Sequence, residues 1–293
     1  MKRPRLLTGA ALVAGAVGRP IAHSLSPVIH GAWIAEAGLD AAYVPFAPPD
    51  DAFERFVRGF RGGAIRGLNV TAPFKERALQ LADQADPVAR RCGSANVLLF
   101  QADGTVEARS TDGAGLLAAL EEQAPDRPVE GARVSILGAG GAARAAAVAL
   151  VEAGARRVFV LNRTAARAEE LVFALESPEL SAHGFGEAEA RLAESDILIN
   201  AAAGGPLPPI DGMPDGGAVL DMSYRPLKTA LLRAAAAREL STVDGLSMLI
   251  HQARPSFEAF FGVPAPGGLD VRKLAIAAMR SAPAPGGARQ ASR

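Results

Sequence analysis

The amino-acid sequence predicts an α/β protein of two domains: a mostly parallel α/β unit in the N-terminal half, completed by C-terminal helices, and a Rossmann-like unit between them. Three observations lead to this prediction. Strand and helix patterns alternate along most of the chain, a glycine turn joins a short apolar strand to an Ala-rich helix near residue 138, and a second alternating series follows that turn. The 293 residues are enough for two domains of ordinary size.

The N-terminal segment has two interpretations. Basic residues at positions 2, 3 and 5, an apolar run over 6–17 and the small residues at 14–16 together imitate a secretory signal peptide. The alternative is a short basic extension followed by a first strand over 13–17. We favour the strand, because the segment continues directly into the Ser24–Pro27 motif discussed below.

The first unit continues from this strand with alternating elements. Ser26 is expected to be the N-cap of a helix with Pro27 in its first turn, and Gly38 to end that helix. The other elements of this unit are strands at 41–46 and 65–70, helices at 50–61 and 75–83, and a hairpin formed by 95–101 and 105–109. The unit is therefore mostly parallel, with an antiparallel addition at the hairpin.

The second unit begins after a helix predicted at 113–123 and a Pro-containing loop. Its elements are strands at 134–137, 157–161, 196–200 and 218–222, and helices at 142–152, 164–175, 186–193 and 226–238. A last long helix over 247–261 has an apolar spacing that would let it pack back on the first unit. We therefore place one domain at 1–112, joined by helices within 246–280, a second at 113–245, and a disordered tail at 281–293.

Composition excludes several classes of function. The 31 basic and 31 acidic residues balance, so nothing in the net charge favours nucleic acid or an anionic membrane as a partner. A single cysteine, Cys92, excludes an internal disulfide framework and a cysteine-cluster metal site, and fits a cytoplasmic protein. The four histidines are scattered, so no metal site is predicted, and His23 and His30 are interpreted as structural. The pattern leaves a homodimer open.

The glycine turn predicts a nucleotide site. Gly138, Gly140 and Gly141 would let backbone amides approach a pyrophosphate, and the helix N-terminus behind them offers free N–H groups and partial positive charge. With Ala143 as the third small residue, this is the G-x-G-x-x-G/A fingerprint. The turn lies directly between strand and helix, as that fingerprint requires.

The end of the following strand indicates which dinucleotide binds. NAD sites usually have an acid there, which accepts hydrogen bonds from the ribose 2′-OH. This chain has Asn162-Arg163-Thr164 instead, with Arg167 one turn later. Two guanidiniums and a hydroxyl suit a phosphate dianion, so we favour NADP; the alternative is a solvated helix face.

Two charged residues stand at helix starts in the first unit. Lys75 follows the strand that ends near Thr71, and Asp112 follows the hairpin. Brought together, they could protonate a carbonyl oxygen as hydride arrives at its carbon; two solvated side chains are the alternative. Uncharged polar residues at similar positions (Ser24, Ser26, Thr71 and Asn96) suit a polyhydroxylated acid, although Ser26 alone could simply cap its helix. Tyr224 and Gln252 are similarly ambiguous.

These stretches together resemble the shikimate/quinate dehydrogenase family, and specifically its NADP-dependent shikimate dehydrogenases. The matching stretches are residues 18–27, 69–75, 93–96, 110–113, 138–142, 162–167, 221–224 and 244–248, in the family's order from about residue 14 to 261. The Asn-Val-Thr-x-Pro-Phe-Lys and His-Ser-x-Ser-Pro stretches are highly specific. The resemblance implies NADPH-dependent reduction of 3-dehydroshikimate to shikimate, a step in aromatic amino-acid biosynthesis.

The resemblance also assigns residues to roles. Lys75 and Asp112 would form the catalytic pair. The substrate would be held by Ser24, Ser26, Thr71, Asn96, Asp112, Tyr224 and Gln252. NADP(H) would be contacted by Gly138, Ala139, Gly140, Gly141, Ala142, Asn162, Arg163, Thr164, Arg167, Met222 and Gly245.

The chain departs from the family pattern at two places near this site. Ser110 replaces a common Asn, and the family's Thr or Ser residues after Asn200 are replaced by Ala201-Ala202-Ala203. Neither departure touches Lys75 or Asp112. The alternative functions are a quinate/shikimate dehydrogenase acting on a related cyclic acid and a non-catalytic NADP-binding regulatory protein.

Overall fold

The chain forms two six-stranded sheets in the computed structural model, which describes residues 6–202 and 204–281. The strands are β1 (Leu12–Val17), β2 (Ala41–Phe46), β3 (Gly67–Val70), β4 (Gln84–Ala85), β5 (Val97–Phe100), β6 (Val106–Arg109), β7 (Arg133–Leu137), β8 (Arg157–Asn162), β9 (Leu180–Gly184), β10 (Ile197–Asn200), β11 (Ala218–Asp221) and β12 (Ser241–Asp244). The helices are α1 (Ser26–Glu36), α2 (Phe53–Arg58), α3 (Lys75–Leu81), α4 (Pro87–Cys92), α5 (Asp112–Gln123), α6 (Gly141–Glu152), α7 (Ala165–Leu175), α8 (Ala188–Ala193), α9 (Ala230–Ala237), α10 (Gly245–Phe261) and α11 (Val271–Ser281).

The first sheet has the order β2-β1-β3-β5-β6-β4. β1 pairs in parallel with both β2 and β3, whereas β5 pairs antiparallel with both β3 and β6. The predicted mixture of a parallel sheet with an antiparallel hairpin is therefore confirmed. Residues 12–17 form an interior strand of this sheet, as the strand interpretation of the N-terminal segment predicts.

The second sheet is parallel throughout, in the order β12-β11-β10-β7-β8-β9. The chain starts at β7, runs outward through β8 and β9, and then returns to build β10, β11 and β12 on the other side. This confirms the Rossmann-like prediction, and it creates a crevice at the carboxyl ends of β7 and β10, where such sheets bind ligands. Short side chains such as Ala143 and Ala147, both fully buried, let α6 pack closely against the sheet.

Several predicted bounds were wrong. The short strands β4, β9 and β12 were not predicted, and the helix expected at 50–61 is shorter. The helix expected at 226–238 begins only at Ala230, because Thr229 caps α9 by accepting a hydrogen bond from the Leu232 N–H at 3.2 Å. Ser26 is not an N-cap: α1 begins at Ser26 itself, and the Ser24 hydroxyl accepts the Ser26 N–H at 3.2 Å. The Ser26 hydroxyl therefore does not cap α1.

The long helix α10 joins the two sheets. It starts at the end of β12, and its buried face, which includes Leu246, Phe257 and Phe260, lies in the apolar core of the first sheet. The expected return of this helix to the N-terminal unit is thus observed, while the exact domain boundaries stay a prediction. The tail predicted at 281–293 begins with the last residue of α11, and 282–293 lie outside the described residues. Within the described ranges, no helix combines the length and apolar character needed to cross a bilayer.

His30 is fully buried in the core of the first sheet, as its structural interpretation requires. Its ring stacks on Tyr43 with the centroids 4.0 Å apart, and burial lowers its pKa from 6.5 to about 3. The unfolded chain therefore binds a proton below pH 6.5 that the folded protein excludes. The stability associated with neutral His30 is complete above pH 6.5 and is lost as the pH falls from about 6.5 towards 3.

We expect His30 alone to lower the free energy of unfolding by about 2 kcal/mol between pH 7 and pH 5. Urea unfolding at both pH values, for the wild type and for His30→Phe, measures this contribution. Phenylalanine keeps an aromatic ring against Tyr43 but cannot titrate, so the variant should lose about 2 kcal/mol less stability than the wild type over this interval. Equal losses in the two proteins would contradict the prediction.

Candidate active site

A cavity of about 400 Å³ lies between the two sheets. The ends of β1 and β3 and the starts of α1, α3 and α5 supply one side, and α10 closes another. Ala142, Met222 and Gly245 line it from the side of the second sheet. The cavity is therefore bordered by both halves of the predicted site.

Lys75 and Asp112 meet in this cavity. The Lys75 Nζ donates a hydrogen bond to Asp112 Oδ2 at 2.5 Å, and the side chains are 17% and 5% exposed. Each is the first residue of its helix, α3 or α5. The topology thus brings together the two charged residues that the sequence placed at separate helix starts.

Asn96 holds the other oxygen of this carboxylate. Its Nδ2 lies 3.0 Å from Asp112 Oδ1 and also faces Thr111 Oγ1 at 2.9 Å and Gln252 Oε1 at 3.1 Å. Its Oδ1 accepts the Thr111 N–H at 2.8 Å. Because a buried carboxylate with two held oxygens cannot rotate freely, Lys75 Nζ is aimed at one fixed place in the cavity.

Every residue that the resemblance assigned to the substrate lines this cavity. Burial raises the pKa of the Tyr224 phenol, which keeps it a neutral hydrogen-bonding group near pH 7. Ser24, Ser26 and Thr71 add hydroxyls around the cavity, and Gln252 adds an amide. The lining therefore suits a small, oxygen-rich ligand.

Sequence reasoning missed Arg19 and Asn69, which also line the cavity. Asn69 lies in β3 two residues before Thr71, so its position at the carboxyl end of a strand was the available signal. The structural interpretation of His23 was wrong in one respect, since this side chain lies at the cavity and is exposed. Sequence reasoning also missed Thr111. Its hydroxyl accepts from Asn96 Nδ2 and donates to the Gln252 carbonyl oxygen at 3.1 Å, so Thr111 bridges these two residues.

The glycine turn has the backbone that a nucleotide loop requires. Gly138 has φ +112°, and a Cβ there would lie 3.0 Å from the backbone of Ala201, so a side chain would be both strained and crowded. Gly140 is the N-cap of the 12-residue helix α6. Gly140, Gly141 and Ala142 line a second cavity of about 670 Å³, together with Ala139, Lys75 and Arg167.

A third cavity, of about 230 Å³, lies beside the end of β8. It is lined by Gly138, Ala139 and Gly140 on one side and by Asn162, Arg163 and Arg167 on the other. Thr164 is the N-cap of α7, and its carbonyl accepts a hydrogen bond from Asn162 Nδ2 at 3.0 Å. In the described part of the chain, Thr164 lines none of these three cavities. With two exposed arginines and no acid at the strand end, the donor set fits a phosphate-bearing dinucleotide.

Two backbone loops meet where the cavities adjoin. A Cβ on Gly245 would lie 2.3 Å from the Met222 carbonyl oxygen, so only glycine allows this approach. Asn200 Nδ2 donates to Asp221 Oδ1 at 3.0 Å and ties the end of β10 to the end of β11. Met222 and Gly245 are thus fixed at the border between the cofactor side and the substrate side.

The two departures from the family pattern contact residues other than Lys75 and Asp112. The Ser110 N–H donates to Asp86 Oδ2 at 3.3 Å, and its hydroxyl contacts the Cys92 thiol, whose pKa burial raises to about 12. Ala201 and Ala202 line the third cavity without a hydrogen-bonding side chain. Among the described residues, no group of three or more His, Cys, Asp or Glu side chains is arranged to hold a metal ion.

Comparison with known families shows which family has the same sequence features. Residues 16–98 match the family model of the shikimate dehydrogenase substrate binding domain, and residues 120–207 match that of shikimate/quinate 5-dehydrogenase. A Caulobacter vibrioides protein named shikimate dehydrogenase (NADP(+)) is 53% identical over 276 residues, which cover 92% of this chain and 96% of the relative. The chain belongs to the shikimate dehydrogenase family.

Other family members agree in sequence and in fold. The shikimate dehydrogenase (NADP(+)) of Rhodospirillum rubrum is 41% identical over 92% of this chain and 99% of its own length. The crystal structure of shikimate 5-dehydrogenase from Thermus thermophilus, in complex with NADP(H) and shikimate, superposes with a TM-score of 0.78 at 35% identity, over 92% of this chain and 99% of that one. The quinate dehydrogenase of Corynebacterium glutamicum in complex with NAD gives a TM-score of 0.81 at 26% identity, with the same coverage.

Proposed function

We propose that this shikimate dehydrogenase family member catalyses the reversible, NADPH-dependent reduction of 3-dehydroshikimate to shikimate. The observation that carries the proposal is the Lys75–Asp112 pair, held at 2.5 Å in a cavity that also reaches Ala142 and Gly245 on the nucleotide side. A proton donor and a hydride donor can therefore reach the two ends of one carbonyl group. The family names of the relatives, and the NADP(H) and shikimate of the Thermus thermophilus complex, support the same reaction.

The proposed roles follow from the chemistry of each group. Bound NADPH supplies hydride to the carbonyl carbon. Lys75 gives its proton to the carbonyl oxygen in reduction and removes it from the hydroxyl in oxidation, while Asp112 orients the ammonium and stabilises its charge. Thr71, Asn96, Asp112, Tyr224 and Gln252 bind the hydroxyls, and Ser24 and Ser26 bind the carboxylate.

Two groups of residues on the cofactor side would hold two different parts of the dinucleotide. The glycine turn from Gly138 to Ala142 would hold the pyrophosphate at the N-terminus of α6, and Asn162, Arg163, Thr164 and Arg167 would hold the adenosine 2′-phosphate. Met222 and Gly245 would border the reactive ring. Holding both reactants in one cleft lowers the entropic cost of bringing them together, and a cleft between two domains can also close to exclude water.

We also propose the division into domains at 1–112 and 113–245, with helices of 246–280 completing the first. Its support is that most buried apolar residues of α10 and α11 belong to the core around β1 and α1, whereas those of α6 and α7 pack around β7 and β8. A cytoplasmic location, the absence of nucleic acid and membrane partners, and a homodimer stay predictions.

Quinate is the second candidate substrate, because the Corynebacterium glutamicum quinate dehydrogenase shares the fold. That protein was crystallised with NAD, whereas Arg163 and Arg167 in this chain favour a 2′-phosphate. We therefore expect a preference for shikimate and NADP over quinate and NAD.

Initial rates of reduced-cofactor formation, measured for all four combinations of shikimate or quinate with NADP or NAD, test the proposal. Shikimate with NADP should give the highest kcat/KM. A higher kcat/KM with quinate would favour the second candidate. NADP binding without oxidation of either acid would support a non-catalytic regulatory protein instead.

A further inference from the structure

A buried tyrosine lies directly behind the substrate cavity. Tyr43, in β2, is 7% exposed and is not among the described residues that line the cavity. Its hydroxyl donates a hydrogen bond to Asn69 Oδ1 at 2.7 Å, and Asn69 does line the cavity. Tyr43 thus reaches the ligand space only through another side chain.

The Tyr43 ring is held firmly in this position. It stacks on the His30 ring at 4.0 Å with an interplanar angle of 6°, and Phe260 packs against it at 6.4 Å. His30 in turn meets the edge of Trp33 at 5.7 Å. An aromatic cluster with this packing leaves the phenol oxygen little freedom to move.

The contacts of the phenol determine which way the Asn69 amide is turned. Burial raises the pKa of Tyr43 far above its usual range, and a side-chain contact with Ser26 partly offsets this effect. The phenol carries a single proton and directs it to Asn69 Oδ1, because an amide oxygen can only accept. Ser256 Oγ approaches the same Oδ1 at 3.5 Å. With Oδ1 engaged on the buried side, Nδ2 is the end of the amide that is left for the cavity.

We propose that Tyr43 is a positioning residue that fixes the Asn69 amide with Nδ2 towards the cavity, where it donates a hydrogen bond to an oxygen of the bound cyclic acid. The inference rests on the proposed function for the identity of that acid. An asparagine without such a partner presents its oxygen as readily as its nitrogen, and it loses rotational freedom when the ligand binds. The hydrogen bond from Tyr43 sets the orientation of the amide and restricts its rotation before the ligand binds.

Tyr43→Phe tests the proposal, because it removes the hydroxyl and keeps the ring against His30. The equilibrium Kd of shikimate, measured by titration calorimetry, should rise about tenfold, the effect of one ordered neutral hydrogen bond. We expect kcat and the KM for NADP to stay within about twofold of the wild type, since the groups that move the proton and hold the cofactor are untouched.

A double-mutant cycle separates positioning from general destabilisation. If Tyr43 acts through Asn69, Tyr43→Phe should leave the Kd unchanged in an Asn69→Ala background. Ser135→Ala is the matched control, because it removes another buried hydroxyl, hydrogen-bonded to Ser195 at 2.7 Å in the second sheet. Its shikimate Kd should equal that of the wild type even where its thermal stability falls. An unchanged Kd in Tyr43→Phe, or additive effects in the cycle, would overturn the proposal.

A second variant serves where Tyr43→Phe fails to fold. Asn69→Asp still accepts the Tyr43 hydroxyl but presents an acceptor to the cavity, so shikimate binding should weaken by more than about tenfold. Wild-type affinity in Asn69→Asp would contradict the role of Nδ2. A wild type that binds shikimate without oxidising it would refute the proposed reaction but leave this test in force, whereas a wild type that does not bind shikimate would overturn both.

Discussion

Replacing Lys75 with alanine should lower kcat at least about a hundredfold, the usual contribution of a general acid, while the KM for shikimate changes little. The reason lies in the geometry around Nζ, which is the one ammonium contacting Asp112 among the described ion pairs. The fold should survive, because the Lys75 carbonyl, which accepts the Ala95 N–H at 2.9 Å, is retained in alanine. Steady-state rates in both directions measure the effect.

The Lys75→Arg variant distinguishes a role of Lys75 in proton transfer from a purely electrostatic role. Arginine keeps the positive charge next to Asp112, but it is a very weak acid, so turnover should stay low if Lys75 transfers the proton. Lys273→Ala, which removes an exposed lysine from α11, is the matched control and should behave as the wild type. Near-normal turnover in Lys75→Ala would refute the assignment, and recovery in Lys75→Arg would reduce the role of Lys75 to electrostatics.

The sequence predicted those parts of the fold and site that local patterns determine. β1, β7 and α6 are apolar segments with clear ends, and the glycine turn lies at the junction that its fingerprint requires. Lys75 and Asp112 become candidates because each follows a strand in a mostly parallel sheet, whose carboxyl ends meet at one edge, but only the family resemblance assigns them as a pair. Position along the chain is sufficient for the strands, the helix and the glycine turn, whereas the pair also needs the resemblance.

Other features depend on contacts between distant residues. β9 and β12 are short strands at the sheet edges, with fewer buried residues than the interior strands, so their sequences lack a continuous apolar run. Tyr43 and Asn69 are 26 residues apart, and nothing local indicates that the hydroxyl of one reaches the amide of the other. The residue type of Ser26 suits a cap, although the backbone starts the helix one residue earlier than a Ser26 cap would require.

Asn96 shows how the structure changes the interpretation of a predicted site residue. Its type and position suggested a direct substrate ligand, and it does line the cavity. Its amide nevertheless faces three protein oxygens, from Thr111, Asp112 and Gln252, although Nδ2 carries only two hydrogens. Asn96 therefore orients the carboxylate that orients Lys75, and any contact that it makes with substrate must share those hydrogens.

Replacing both Arg163 and Arg167 with alanine should raise the KM for NADP at least about a hundredfold, with little effect on kcat at saturation. Each guanidinium that pairs with a phosphate contributes about 1.5 kcal/mol or more, and two such contacts together correspond to a factor of at least about a hundred. NAD has no 2′-phosphate, so its kcat/KM should stay within about threefold of the wild-type value. The ratio of kcat/KM for the two cofactors, measured with shikimate, is the quantity to compare.

Arg156→Ala/Arg157→Ala provides the matched control. These two arginines are exposed at the start of β8, the opposite end of the strand from Asn162, so the control removes the same number of charges at a site distant from the third cavity. Its cofactor preference should equal that of the wild type, because the net charge alone does not distinguish a 2′-phosphate from a 2′-hydroxyl at a distant site. If the Arg163→Ala/Arg167→Ala variant loses NADP and NAD activity equally, the two guanidiniums support the loop after β8 and do not select the cofactor.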